Sequence, residues 1–264
     1  MSYFNDVLFG IIEGITEFLP ISSTGHLLLA EHWLAPRSDM YVVVIQAGAI
    51  LAVTLIYWRR LVGLTLGWRD AENRDYLAKL MTAFLVTAVL GLIVDKAGFQ
   101  LPETITPIAW ALVIGGIWMM VAEYFADKLP DSARITWRVA LAVGVAQVVA
   151  GVFPGTSRSA TTIFVAMLLG TSNRAAATEF AFLVGIPTMY AASGYKLLQN
   201  LSDGSQSEDW TGLAIAFVVS TVTAFASVKW LLSYIQTNRF TVFAIYRIVF
   251  GALLLALAWG GIIA

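Results

Sequence analysis

Cysteine is absent from this chain, and charged residues are scarce for its length. The 264 residues contain no Cys and only two His, which excludes disulfides and thiolate metal sites. Asp, Glu, Lys and Arg make up 12% of the chain and hydrophobic residues 59%, whereas a soluble domain has about 25% charged residues. A formal net charge of -1 excludes a basic surface for nucleic acid. This composition indicates an integral membrane protein.

Six apolar stretches are each long enough to cross the hydrocarbon core of a bilayer, because a helix rises about 1.5 Å per residue. We therefore predict an all-α polytopic membrane protein with six transmembrane helices. The stretches cover residues 41–58, 80–94, 105–124, 178–198, 211–234 and 241–263.

A short pattern occurs twice in the chain, and a fixed spacing between two copies marks an internal duplication. The first copy carries Glu13, Glu17 and His26, whereas the second carries Arg158 and has Gly151 in place of Glu17. One half is therefore acidic and the other cationic. Gly10, Glu13, Pro20 and Ser23 recur 134 positions later as Gly144, Gln147, Pro154 and Ser157.

Each copy of the pattern predicts a helical hairpin that enters the membrane and returns on the same side. The first hairpin pairs residues 3–19 with 22–33, and the second pairs 137–153 with 157–170. Proline breaks the helical hydrogen-bond ladder between the two arms. Irregular backbone at membrane depth is tolerated only where it is buried in protein or lines a polar cavity. The alternative interpretation is two spanning helices with proline kinks.

One hairpin and three spans in each half place the second half upside down relative to the first. We therefore predict an inverted-topology repeat within a single integral membrane domain, residues 1–264, with one repeat at about 1–125 and the other at about 135–264. Such folds place their sites near the midplane, where broken helices meet.

The positions of Lys and Arg predict which side of the membrane each loop occupies, because cytoplasmic loops are enriched in both. Eleven fall on one side and three on the other, so we predict that both termini lie outside the cytoplasm. The first hairpin would then enter from outside and the second from the cytoplasm. The eleven are Arg59, Arg60, Arg69, Arg74, Lys79, Lys128, Arg134, Arg138, Arg174, Lys229 and Arg239, and the three are Arg37, Lys96 and Lys196.

The first copy contains an acid, base and nucleophile set. Glu13 and Glu17 are four residues apart and share a helix face, where the pair serves as a base or holds a cation. Ser22 and Ser23 follow Pro20; a serine there caps a helix or acts as an activated nucleophile. His26 lies further along the same half-helix, where it is either structural or a proton-transfer group.

The second copy has the properties of an anion cradle, a name used below for residues 154–159. Gly155 lets the backbone approach a ligand closely, and the following helix N-terminus presents free N–H groups. Arg158 adds a planar fork suited to phosphate oxygens, although it could instead pair with a glutamate. Opposite two glutamates, a serine and a histidine, the cradle suggests phosphoryl transfer. The cradle is Pro154-Gly155-Thr156-Ser157-Arg158-Ser159.

These two motifs resemble the signatures of the bacterial undecaprenyl-diphosphate phosphatases, the bacitracin-resistance family. The first motif runs from Glu13 through Glu17, Pro20 and Ser23 to His26, the second is the cradle, and the resemblance extends over nearly the whole chain. One departure is Ala160 followed by Thr161, where the family usually has Gly followed by Ala or Thr. The added methyl group of Ala160 bears on the packing of the loop and not on the activity.

The resemblance implies hydrolysis of undecaprenyl diphosphate to undecaprenyl phosphate and inorganic phosphate in the bacterial cytoplasmic membrane. Ser23 or His26 would be the nucleophile, Glu17 would activate it or a water molecule, and Arg158 would hold the diphosphate. Glu13 would orient Glu17 or, together with it, bind Mg²⁺ or Ca²⁺. The diphosphate-binding set would comprise Ser22, Gly155, Thr156, Ser157, Ser159 and Thr162.

A lipid-phosphate flippase or an ion-coupled transporter is the competing hypothesis, because inverted repeats with broken helices are common among secondary carriers. The site residues favour phosphate-ester chemistry over ion coupling. The partners predicted are the bilayer and a polyisoprenyl diphosphate lipid, with no nucleic acid, and a homo-oligomer is compatible with the sequence. For Glu179 and Arg247, both within or near apolar spans, we expect a structural pairing across helices; the alternative is contact with the substrate.

Overall fold

The computed structural model describes residues 3–34, 36–98, 104–203 and 209–263, with only the backbone described at residues 200–203. Within these ranges every regular element is an α-helix and there is no strand. The helices are α1 (Tyr3–Thr16), α2 (Ser23–Leu34), α3 (Asp39–Ile56), α4 (Trp58–Leu66), α5 (Ala71–Lys96), α6 (Ile105–Ala126), α7 (Trp137–Val152), α8 (Arg158–Gly170), α9 (Arg174–Asp203), α10 (Trp210–Tyr234) and α11 (Thr241–Trp259).

Six of these helices are long and apolar enough to span a membrane: α3, α5, α6, α9, α10 and α11. The predicted number of spans is confirmed, and the protein is a multi-pass membrane protein. Two helices extend well beyond the predicted stretches, since α5 begins at Ala71 and α9 at Arg174. The first residues of α5 are mostly polar, which is why the apolar run alone did not reveal its start. The short helix α4 was not predicted.

The two hairpins form as predicted, from helices too short to cross. Helices α1, α2, α7 and α8 contain 14, 12, 16 and 13 residues, or about 18–24 Å at 1.5 Å per residue, against a hydrocarbon core of about 30 Å. The arms pack together within each hairpin, α1 on α2 and α7 on α8. The turn of the first hairpin contacts the start of α8, where Ser159 Oγ donates to the carbonyl oxygen of Leu19 at 3.1 Å. The two tips therefore meet.

Several helix pairings repeat when the two halves are exchanged. Helix α1 packs on α10 and α7 packs on α5; likewise α3 packs on α10 and α9 packs on α5. The pairs α3–α9 and α6–α11 join each element to its own counterpart. This is the pattern of an inverted repeat whose halves interlock. The boundaries at about 1–125 and 135–264 remain predictions.

Glycine permits close contacts between helices at equivalent positions in the two halves. A Cβ atom on Gly10 would lie 2.6 Å from the carbonyl oxygen of Ala216, and one on Gly144 would lie 2.7 Å from that of Ala83. Small residues commonly allow such close backbone approach between helices in membranes. These two glycines fix the distance between each hairpin and the span that supports it.

Substituting Gly144 by valine should therefore destabilise the protein by about 1–3 kcal/mol, the usual cost of overpacking. We expect a lower midpoint of thermal unfolding in detergent, followed by tryptophan fluorescence. Gly63→Val is the matched control, because a Cβ atom on Gly63 would meet nothing within 4 Å. An equal midpoint for the two variants would contradict the close contact.

Candidate active site between the hairpin tips

A small polar pocket of about 50 Å³ lies where the two hairpin tips meet. Residues from both copies of the repeated motif line it: Glu17 and Ser23 of the first copy lie beside Arg158 of the second, whereas Glu13 and His26 are not among the lining residues. The lining residues are Glu17, Ser22, Ser23, Thr24, Gln46, Ala150, Gly155, Ser157 and Arg158.

Ser23 and Glu17 form the tightest polar contact in this pocket. The hydroxyl of Ser23 donates to Glu17 Oε2 at 2.5 Å, and both residues are buried. Ser23 is the first residue of α2, so its oxygen lies at the positive end of the helix dipole. A hydroxyl bonded to a carboxylate at a helix N-terminus is an arrangement that favours removal of the hydroxyl proton.

A strained turn places Ser23 in this position. Ser22 has φ of 71°, a left-handed conformation that is uncommon outside glycine. Its counterpart in the second hairpin is Ser157, with φ of 68°, which directly precedes α8. The structural equivalents are therefore Ser22 with Ser157 and Ser23 with Arg158. Pairing Ser23 with Ser157 by a constant 134-residue spacing was wrong, because the second turn contains one additional residue.

Arg158 faces the dyad of Ser23 and Glu17 without binding it closely. Its Nη2 lies 3.9 Å from Glu17 Oε1, and its side chain is 30% exposed while that of Glu17 is 6% exposed. An arginine held this loosely retains most of its five N–H donors for a ligand. Its position as the first residue of α8 adds the free N–H groups of a helix N-terminus, a common site for phosphate.

The hydroxyl groups of the second motif mainly shape the cradle. Ser157 Oγ accepts from the amide of Ala160 and lies 3.0 Å from Ser159 Oγ. Thr156 donates to the carbonyl of Phe153, and Thr162 donates to that of Arg158. With these donors bonded to the backbone, the N–H groups and Arg158 are left as the main groups for an anion.

Glu13 is fully buried one helical turn before Glu17. No N–H or hydroxyl group of the described residues bonds to either of its carboxyl oxygens. Buried carboxylates without partners are costly, so these oxygens suit a proton or a cation. The described residues contain no group of three or more His, Cys, Asp or Glu that could hold a metal. A cation bound to Glu13 and Glu17 would need its other oxygen ligands from substrate or water.

His26 points away from the Ser23 and Glu17 dyad. Its Nδ1 lies 2.7 Å from the carbonyl oxygen of Ser22, and its Nε2 lies 2.7 Å from the hydroxyl of Tyr246. Because a carbonyl only accepts hydrogen bonds, Nδ1 carries the proton. The ring also stacks on Phe250, with ring centroids 4.2 Å apart. In this structure His26 therefore supports the Ser22 turn.

Arg247 supports the cradle from behind, a role that the sequence did not reveal. It is fully buried in α11 and donates to the carbonyl oxygens of Gly155 at 2.9 Å and Thr156 at 2.8 Å. The expected pairing with Glu179 was wrong, because Glu179 instead accepts from Arg60 at 3.0 Å. The signal in the sequence for such a role was a basic residue, Arg247, inside an apolar span. It did not indicate the partner, which comes from another part of the chain.

Gly155 is the residue that allows this support. Its φ is 92°, a conformation open mainly to glycine. A Cβ atom there would lie 2.6 Å from the carbonyl oxygen of Ile108 in α6. The cradle thus packs between α6 and α11, and the carbonyl groups of Gly155 and Thr156 accept hydrogen bonds from Arg247.

Comparison with known proteins agrees with these features. The model of the family described as "Bacitracin resistance protein BacA" matches residues 6–253. A protein of Rhizobium etli (strain CIAT 652) named undecaprenyl-diphosphatase is 70% identical over the whole of both chains. One of Xanthomonas euvesicatoria pv. vesicatoria (strain 85-10), with the same name, is 64% identical over 94% of each chain. On this match along nearly its whole length, the chain belongs to the BacA family of bacitracin resistance proteins.

Proposed function

We propose that this protein is a membrane phosphatase that hydrolyses undecaprenyl diphosphate to undecaprenyl phosphate and inorganic phosphate. The observation that carries the proposal is the hydrogen bond from Ser23 to Glu17 beside the cradle and Arg158. The names of the relatives indicate the same reaction. The product is a lipid carrier returned to cell-wall synthesis.

Ser23 is the nucleophile in this proposal. Its Oγ attacks the terminal phosphorus while Glu17 accepts the hydroxyl proton, and the bond from that phosphorus to the bridging oxygen breaks. The electron pair stays on that oxygen, which leaves as part of undecaprenyl phosphate, and Glu17 passes its proton to solvent. Water then attacks the phosphoserine with Glu17 as base. The Ser23 oxygen leaves, takes the proton back, and inorganic phosphate is released.

Arg158 and the cradle stabilise the charge that develops during this reaction. Phosphoryl transfer depends mainly on positioning and charge neutralisation. Arg158 presents its fork to the diphosphate, and the N–H groups at the start of α8 face the same region. Among the residues predicted to bind diphosphate, Ser22, Thr156, Ser157 and Ser159 maintain the two turns, and the hydroxyl of Thr162 bonds within the first turns of α8. His26 holds the Ser22 carbonyl and acts as a positioning residue.

Glu13 and Glu17 are the residues that would hold a divalent cation. The carboxyl oxygens of Glu13 that lack N–H or hydroxyl partners fit a hard ion such as Mg²⁺ or Ca²⁺. Such an ion would supply additional positive charge for the diphosphate. If the site uses it, phosphate release should stop in a chelator and return with added Mg²⁺ or Ca²⁺; unchanged release in chelator would remove the cation from the proposal.

Replacing Ser23 by alanine should lower phosphate release from undecaprenyl diphosphate by at least about 1000-fold, the scale of losing a nucleophile. The measurement uses purified protein in detergent, with binding of the lipid checked separately. Ser193→Ala, outside the pocket, is the matched control. Near-normal release by folded Ser23→Ala would rule out the serine mechanism and favour a water molecule activated by Glu17.

Replacing Arg247 by methionine should raise KM for the diphosphate and lower kcat/KM by about 100-fold, because a small displacement of binding groups is costly. Folding of the variant is checked in the same experiment, because the substitution removes a buried charge and also leaves the carbonyl oxygens of Gly155 and Thr156 without their donor. Steady-state kinetics and thermal unfolding are measured together. Arg247→Lys keeps the charge but not the planar fork, so it should restore little of the activity.

An unchanged KM in a folded Arg247→Met variant would show that Arg247 does not position the cradle. A loss of kcat without a change in KM would instead place Arg247 in the chemical step.

We propose that the protein lies in the bacterial cytoplasmic membrane with both termini and the active site facing outward. The distribution of Lys and Arg supports this orientation. Labelling of single cysteines is direct here, because the chain has none of its own. The variant Asp70→Cys, in the short link between α4 and α5, should react with an impermeant thiol reagent only after the membrane is permeabilised. The variant Trp210→Cys should react in intact cells. The reverse pattern would invert the orientation.

A further inference from the structure

A groove of about 300 Å³ lies next to the polar pocket, and Arg158 lines both. Helices α5, α7 and α9 form its walls. Small-molecule sites occupy about 300–1,000 Å³, so this groove suits part of a long molecule rather than all of it.

The groove contains a cluster of polar residues and has apolar walls. Thr87, Gln147 and Thr188 form the cluster, and Arg158 and Asp95 are the charged residues of the lining. Gln147 Nε2 donates to Thr87 Oγ1 at 3.2 Å and to Thr188 Oγ1 at 3.3 Å. These neutral groups bind each other, which leaves Arg158 as the cationic group among the described lining residues.

Two glycines open the apolar part. A Cβ atom on Gly91 in α5 or on Gly151 in α7 would meet nothing within 4 Å. Gly151 occupies the position that Glu17 holds in the first copy. Where the first hairpin presents a carboxylate, the second leaves an empty space beside Arg158.

The groove reaches the membrane-facing side of the second hairpin. Val152 lines it, and the next residue, Phe153, is 52% exposed. Together with Leu141, Val145 and Val149, Phe153 forms the exposed apolar face of α7. Asp95 lines the groove near the C-terminal end of α5, where its charge would repel a phosphate. An anionic head group is therefore favoured at Arg158 and an uncharged chain along the glycines.

We propose that this groove binds the first isoprene units of the lipid while the diphosphate lies against Arg158. This assignment rests on the proposed function and names the part of the fold that selects a polyisoprenyl substrate. The rest of the chain passes over Val152 and Phe153 into the bilayer. The groove makes the enzyme favour long-chain over short-chain diphosphates.

The test is the substitution Gly151→Leu, which fills the groove without touching the dyad of Ser23 and Glu17. Phosphate release is measured with undecaprenyl diphosphate and with methyl diphosphate as the short substrate, which binds at Arg158 but has no isoprene unit to enter the groove. We expect kcat/KM for the long substrate to fall at least about tenfold, since one methylene group in a binding pocket is already worth about 10-fold or more. For the short substrate it should change by less than about twofold.

Gly194→Leu is the matched control, because it lies on α9 outside the groove and also has open space at its Cβ position. It should keep the chain-length preference of the wild type. Equal losses for both substrates in Gly151→Leu, or no loss, would overturn the groove assignment while leaving the phosphatase reaction standing.

If the wild type releases phosphate from neither substrate, the proposed function fails and the groove is tested by binding alone. The dissociation constant of undecaprenyl monophosphate is then measured for the wild type and both variants. A rise of at least about tenfold only in Gly151→Leu supports the groove, and equal constants in all three proteins refute it. If only the long substrate is turned over, this binding measurement replaces the short-substrate comparison.

Discussion

Hydrogen bonding of irregular backbone inside the membrane is the constraint on which the rest of this structure depends. A bilayer offers no water to satisfy free carbonyl and N–H groups, yet two hairpin turns lie where the short helices meet. Arg247 satisfies the carbonyls of Gly155 and Thr156, Ser159 that of Leu19, and His26 that of Ser22. None of these donors belongs to the turn that it supports: Arg247 lies on α11, Ser159 on α8, and His26 on α2. The site therefore depends on how the whole bundle is packed.

The duplicated architecture separates two chemical tasks while keeping one framework. Equivalent glycines, Gly10 and Gly144, hold the hairpins against equivalent spans, and Ser22 and Ser157 share the same unusual backbone conformation. The side chains at the tips then differ. Ser23 and Glu17 come from one copy, and Arg158 comes from the other at the position equivalent to Ser23. Two hairpin tips with the same backbone conformation thus supply a nucleophile and an anion-binding group to one site.

Differences between the copies also explain where a lipid substrate fits. The change from Glu17 to Gly151 removes a charge and a side chain, and the space that results lies beside Arg158. Arg158 therefore lies between a polar pocket and a groove with apolar walls. An amphiphile with an anionic head and an uncharged chain matches both environments.

Much of this arrangement follows from the sequence. Apolar run lengths predicted the six spans, and Pro20 and Pro154 predicted the breaks of both hairpins, because helix length and the missing proline N–H are local properties. The motif spacing placed Glu13, Glu17, Ser23 and Arg158 at one site, since an inverted duplication brings its equivalent segments together.

The tertiary structure decided which partners those residues have. The sequence alone left open whether His26 faces Ser23, and it suggested Glu179 as the partner of Arg247. In the folded chain His26 bonds to Tyr246, 220 residues away, and Arg247 bonds to Thr156, 91 residues away. Such contacts depend on the packing of α11 against the hairpins, which no local pattern encodes. The extra residue in the second turn, which makes Ser22 rather than Ser23 the equivalent of Ser157, became evident only from the backbone conformation.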